Sequence, residues 1–299
     1  MTRNKEGELQ DMERESLKIT SVMKRISIMA SMLMMGSVVT TPAIATEESQ
    51  DLPIAVQMYT MRDHGSTEEQ FAAVNRAGIK AIETVGDHGV SAERMNELLE
   101  AYDLDIIASH VGLDEMRSDS NEVVDFNKAV GNDTIVIPYL EEDARPDSAS
   151  GWKELGKELG SMAEKLDKED MALAYHNHDF EMQEYGDKTA LELLFDAAGP
   201  ALKSEIDLAW VERAGLDPAE YVTRFDGRLF AVHAKDNAPQ GEATEEGGFT
   251  SLGNGVLDWE TILPAVEEAG AKWYIIEHDH PLDPEDVITV GNRFLKNNL

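Results

Sequence analysis

Short apolar runs and longer helical stretches alternate eight times from Ile54 to the C-terminus, at about 30 residues per pair. This rhythm constrains the fold more than any other feature of the chain. Parallel strands need crossover connections of helical length, and a repeated strand–helix order gives an α/β fold with a parallel sheet. The expected strands are Ile54–Thr60, Ala81–Gly86, Asp105–Gly112, Thr134–Leu140, Met171–His178, Lys203–Trp210, Leu229–Asp236 and Trp273–Asp279. Between them, Thr67-Glu68-Glu69-Gln70 reads as a capping box with Gly78 closing its helix. Ser91 opens a second helix, and Trp152 through Leu166 forms a long amphipathic one. Asp217-Pro218 and Asp258-Trp259 open two more, and Gly270 ends the last before the eighth strand. The competing architecture is an open doubly wound sheet. The first strand, however, runs into Gln57-Met58-Tyr59-Thr60-Met61-Arg62-Asp63 and not into a glycine-rich dinucleotide turn. The expected fold is therefore a single-domain (β/α)8 barrel over residues 46–299, close to the roughly 250 residues typical of that architecture.

The first 45 residues stand apart. Lys24-Arg25 precede an apolar run from Ile26 to Val39, and Ala43-Ile44-Ala45 supplies small residues at a cleavage position. That order is the pattern of a secretory signal peptide over residues 23–45, with 1–22 as an over-called start before Met23. The expected product is exported, periplasmic or secreted, begins near Thr46, and has no membrane attachment after cleavage. The chain has no cysteine, which excludes disulfides and thiolate metal ligands. Its net charge of −33 argues against nucleic acid or an anionic membrane as partner. Oligomeric state is not readable from these features.

The run Met171-Ala172-Leu173-Ala174-Tyr175 has the apolar character of a strand buried on both faces, then breaks into His176, Asn177, His178, Asp179 and Glu181. In a parallel barrel, such strand ends converge on one mouth. The fifth strand ends in His176, the sixth carries Asp207, the seventh His233 and the eighth Glu277. Taken singly, each has a structural alternative: Asp207 as a cap, His233 as a core histidine. Together, two imidazoles and two carboxylates form a mixed N/O set suited to Mn²⁺, Zn²⁺, Fe²⁺ or Co²⁺ more than to Ca²⁺.

Several stretches in combination resemble the xylose-isomerase-like sugar phosphate isomerase/epimerase barrels. They are QMYTMRD at 57–63, IET at 82–84, SHVG at 109–112, YHNHDFE at 175–181, EIDLAWVERAG at 205–215, HAKD at 233–236 and EHD at 277–279. The resemblance runs from Ile54 to about Leu295. It implies a TIM barrel with one divalent metal, often Mn²⁺, that acts on polyols, ketoses and keto-sugars. Its last three ligand positions fall on Asp207, His233 and Glu277. The first departs: ketose epimerases carry a glutamate where this chain has His176, so the two-glutamate acid–base mechanism is in doubt. The YHNH stretch looks more like the branch that includes inosose dehydratases.

The expected function is a divalent-metal-dependent isomerase or epimerase that removes a proton next to a carbonyl, on a small unphosphorylated sugar, polyol or keto-sugar. Glu277 is the first candidate base, with His178, His110 and Glu181 as further acid–base candidates. Tyr59, Glu83, Trp210 and Lys235 are the candidate substrate contacts, and Asp236 a candidate support for a ligand histidine. His64, His88 and His280, in loops, receive no role. Two alternatives stay open: a metal-dependent lyase, dehydratase or hydratase on keto-sugars, keto-glycosides or an inosose, and a non-catalytic sugar-binding barrel. An endonuclease on the same scaffold is disfavoured by the charge.

Overall fold

The computed structural model describes residues 52–299, so the expected signal segment lies outside the described residues. Eight parallel strands close into a barrel, each hydrogen-bonded to its neighbours in chain order and the eighth to the first. They are β1 Ile54–Gln57, β2 Ala81–Val85, β3 Asp105–His110, β4 Thr134–Ile137, β5 Ala172–His176, β6 Lys203–Asp207, β7 Leu229–Ala234 and β8 Trp273–Ile276.

Every strand stops short of its expected end. After Gln57 the chain turns into a 3-10 helix, Met58–Met61, and after Asp207 a helix begins at once, with the Asp207 side chain accepting from the Trp210 N–H. Beyond β7, Asp236–Asn237 leaves the barrel and pairs antiparallel with Phe249–Thr250. At these three ends, backbone groups taken up by a short turn, a cap or the hairpin no longer need the ladder. The first capping box also sits one residue earlier than expected, on Ser66 and Glu69.

Strand alternation builds two layers of core. Ile54, Val56, Ile82, Ile135, Leu173 and Ile206 belong to the large apolar cluster shared with the surrounding helices. Ala55, Ala81, Ala108, Val136, Ala174, Ala231 and Ile275 form a separate cluster inside the barrel. Because side chains alternate along a strand, residues two further on share this inner face. Those residues include Gln57, Glu83, His110, His176, His233 and Glu277, stacked on a floor of mostly small side chains.

One helix pair on the outer ring packs with backbone in near contact. A Cβ added at Gly156 or Gly160, on helix Ala149–Asp167, would run into the carbonyls of Leu194 and Ala198 on helix Ala190–Ala198. Gly160→Ala is expected to destabilise the protein by about 1–3 kcal/mol through overpacking. Urea unfolding checks this, and an unchanged midpoint would show that the helices separate without strain. Among the described residues no helix is long and apolar enough to cross a membrane.

Candidate active site

Strand register brings the polar residues of the mouth side by side. His176 is paired with Glu205 across β5–β6, Asp207 with His233 across β6–β7, and Gln57 with Glu83 across β1–β2. His176, Asp207 and His233 are almost inaccessible to solvent, and Glu277 follows the last residue of β8. Each of the four offers one ligand atom, and these atoms all lie within 4.8 Å of one another. His176 Nε2 is 3.9 Å and His233 Nδ1 4.0 Å from Asp207 Oδ2, and His233 Nδ1 is 2.9 Å from Glu277 Oε2. Asp207 Oδ2 is buried without a well-aligned hydrogen bond, although the Lys235 ammonium stands 2.9 Å away. A two-nitrogen, two-oxygen set that includes a buried carboxylate oxygen with no well-aligned hydrogen bond fits a borderline divalent ion.

The charges around the set are strongly coupled. Burial, together with the neighbouring imidazoles, pushes His176 well below the ordinary histidine range, so it is neutral with a lone pair to give. Burial also acts to lower His233, but the Glu277 and Glu205 carboxylates outweigh it and hold the imidazole protonated. An ion at this site would displace the Nδ1 proton. Burial would raise Glu277, yet Lys235 and His233 keep it ionised, far below the carboxylate range. Asp207 is raised by burial, with Lys235 working against that.

Of the acid–base candidates, His178 and His110 line a cavity of about 700 Å³ above the set, together with His176 and Glu277. His178 is packed by Tyr139, Phe180 and Trp210, and burial depresses its pKa to about 3. His110 is driven by burial toward the neutral form, but Glu83 and Glu205 prevail and lift it to about 9. Glu181 is not in the cavity. The 3-10 turn Phe180–Met182 folds it back under the strand, where it accepts from Tyr175 Oη at 2.7 Å and the His178 N–H at 2.8 Å. Burial raises its pKa to about 7.

Among the substrate-contact candidates, Tyr59 and Trp210 line the cavity. Glu83 lies beneath it, accepting from Gln57 Nε2 at 2.7 Å and facing His233 Nε2 at 2.9 Å. Lys235 is also buried below, among Asp207, Glu277 and Asp279 at 2.7–2.9 Å. Its ammonium is held by three carboxylates and does not line the cavity. Asp236 supports no histidine: it accepts from the N–H groups of Gly253, Gly255 and Leu257 and from Trp259 Nε1, and so anchors the glycine-rich loop.

Sequence reasoning missed several residues here. His280, which received no role, lines the cavity, as do Tyr139, Glu115, Glu141, Arg213 and Asp279. Glu205 lies at the heart of the site, and one signal points to it: it is two residues before Asp207, on the same strand face.

Fold and site together define an α/β barrel whose polar centre lies at the carboxyl ends of its strands. Residues 71–298 match the xylose isomerase-like TIM barrel family, and the chain belongs to that family. A sugar phosphate isomerase/epimerase of Parabacteroides distasonis superimposes with a TM-score of 0.68 at 17% identity, over 84% of this chain and 96% of that one. The IOLI protein, crystallised with a zinc atom, gives 0.63 at 16% identity over 82% and 97%. A rhizopine catabolism protein of Rhizobium meliloti, MocC, is 27% identical over 150 residues, or 44% of this chain. That match spans less than half of the relative's own length, 46%.

Proposed function

We propose that this protein is a divalent-metal-dependent sugar isomerase or epimerase that removes a proton next to a carbonyl of an unphosphorylated sugar or keto-sugar. The observation that carries the reading is the convergence of His176, Asp207, His233 and Glu277 directly beneath a cavity of sugar-binding size. The names of the structural neighbours, a sugar phosphate isomerase/epimerase and a zinc-bound barrel, support it. These four residues would hold the ion, with Mn²⁺ the first expectation and Zn²⁺, Fe²⁺ or Co²⁺ the alternatives. When bound, the ion supplies Lewis acidity that polarises the carbonyl and steadies the negative charge left by proton removal.

The chain's own residues supply the rest. Glu277 is ionised and faces the cavity, with Oε2 engaged by His233 and Lys235 and no hydrogen bond to Oε1. Oε1 is the first candidate to take the proton. Trp210, Tyr59 and Tyr139 would hold the sugar ring, and His110 and His178 face its other atoms. Returned to a different carbon or face, the proton gives isomerisation or epimerisation.

A phosphorylated substrate is disfavoured by the cavity wall. Glu115, Glu141 and Asp279 stand on it, and Arg213 is already engaged by Asn237 Oδ1 and the Gly247 carbonyl. Export, with the signal in residues 23–45 and the barrel over 46–299, belongs to the same proposal and suits such a substrate. Nucleic acid is not expected as a partner at a net charge of −33.

Elimination is the second reading, favoured by one observation: the end of β5, where ketose epimerases carry the glutamate that would pair with Glu277 as acid and base, carries an imidazole, His176. Loss of a β-oxygen after the same proton removal would make the protein a lyase or dehydratase. A panel of keto-sugars and polyols in deuterated water separates the readings. Deuterium incorporation with a saturated isomeric product is the expected result, and growth of enone absorbance would replace isomerase by lyase. No exchange with any member would leave a binding protein.

A further inference from the structure

Beneath the quartet lie two more carboxylates, and we propose that they are positioning residues: Glu205 and Glu83 fix which nitrogen each ligand imidazole turns to the ion, Glu205 for His176 and Glu83 for His233. The inference rests on the metal reading above and concerns a layer of residues to which that reading gives no role.

An imidazole ligand offers one lone pair, and the partner of its other nitrogen decides which one. His176 Nδ1 is 3.1 Å from Glu205 Oε1, so its Nε2 is the nitrogen turned toward Asp207. In His233 the roles of the nitrogens are exchanged. Its Nε2 is 2.9 Å from Glu83 Oε2, which leaves Nδ1 toward Glu277 and Asp207. A carboxylate oxygen at hydrogen-bond distance accepts the proton of the ring nitrogen it faces, so each contact favours the proton on the nitrogen that faces away from the quartet. His110 Nε2 lies between the two carboxylates, 3.0 Å from Glu205 Oε1 and 3.1 Å from Glu83 Oε2, and ties them into one layer. Gln57 donates to Glu83 from the other side.

The backbone points to the same role independently. The barrel ladder shifts register between Ile82 and Glu83 and again between Ser204 and Glu205. Such irregularities re-aim a side chain next to a site, and here each one immediately precedes one of the two carboxylates. Both glutamates are wholly buried, where an unpartnered carboxylate would be costly.

His110, His176, Glu205 and His233 also converge closely enough to suggest a second ion position. Its centre is taken. Glu205 Oε1 lies 3.0–3.1 Å from a nitrogen of each of the three imidazoles, which is hydrogen-bond spacing around an oxygen already in place.

The test uses the full chain stripped of metal by chelation, with Co²⁺ as the probe. Selective ¹⁵N-histidine NMR of the wild type is expected to show His176 protonated at Nδ1, with a free lone pair on Nε2. In calorimetric titrations, Glu205→Gln and Glu83→Gln are each expected to weaken Co²⁺ binding about 10–100-fold while circular dichroism stays native. A wild-type His176 that carries its proton on Nε2 overturns the proposal, even if a variant fails to fold. So does Co²⁺ affinity in both folded variants equal to that of the wild type, provided Asp207→Ala loses the ion. If the wild type itself takes up no Co²⁺, the metal reading fails first and the positioning role falls with it.

Discussion

Glu277→Gln, assayed at saturating metal, is expected to bind sugar but to lose exchange of the proton next to the carbonyl by about 10²–10⁴-fold, the usual contribution of a positioned base. The substitution removes the basic oxygen and keeps the shape of the side chain. Glutamine keeps the volume and can still accept from Lys235 at the position of Oε2, where the ammonium now lies 2.9 Å away. It also removes one negative charge next to His233 and Lys235, so the variant's metal content must be measured alongside exchange. Retained metal, retained sugar binding and lost exchange would identify the carboxylate as the base. Undiminished exchange would shift the role to His178 or His110, the cavity-lining groups of matching chemistry. Glu181 is no longer a candidate for that role, because Tyr175 and the His178 backbone occupy both of its oxygens away from the cavity.

The barrel and the quartet were legible because both follow from period. Buried parallel strands read as apolar runs, and a polar residue at the end of such a run has only the mouth to occupy. His176, Asp207, His233 and Glu277 are of this kind. What eluded the sequence depends on geometry off the strands or on pairing between them. Nothing in YHNHDFE says that a 3-10 turn carries Glu181 backward, or that His178 stays in the cavity among Tyr139 and Trp210. Lys235 reads as a substrate contact in HAKD, whereas three carboxylates, from β6 and from the chain after β8, hold its ammonium below the cavity. Asp236 looked like a ligand support because it sits in HAKD, whereas it turns outward to hold the loop at Gly253–Leu257. Glu205 shares a strand face with Asp207, but what it and Glu83 reach depends on two register shifts, which no single strand's sequence displays.

Asp207→Ala is the second variant with a large expected effect. Asp207 joins the two imidazoles to Lys235: its Oδ2 faces His176 Nε2, His233 Nδ1 and Lys235 Nζ. Alanine leaves two neutral-ligand positions and one carboxylate, with Lys235 free to pair wholly with Glu277 and Asp279. Tight binding of a divalent ion is not expected to survive. The fold has a smaller stake, since the same side chain caps helix Leu208–Arg213 through the Trp210 N–H. Loss of an N-cap costs about 0.5–2 kcal/mol. Asp207→Asn, which keeps a good capping group, separates that cost from the loss of the ligand charge.

Elemental analysis of the wild type beside Asp207→Ala therefore bears most directly on the claim that this barrel works through an ion at its mouth. About one divalent ion per wild-type chain is expected, with little or none in a folded Asp207→Ala. Full metal content in that variant, or a wild type that purifies and reloads without any divalent ion, would contradict it.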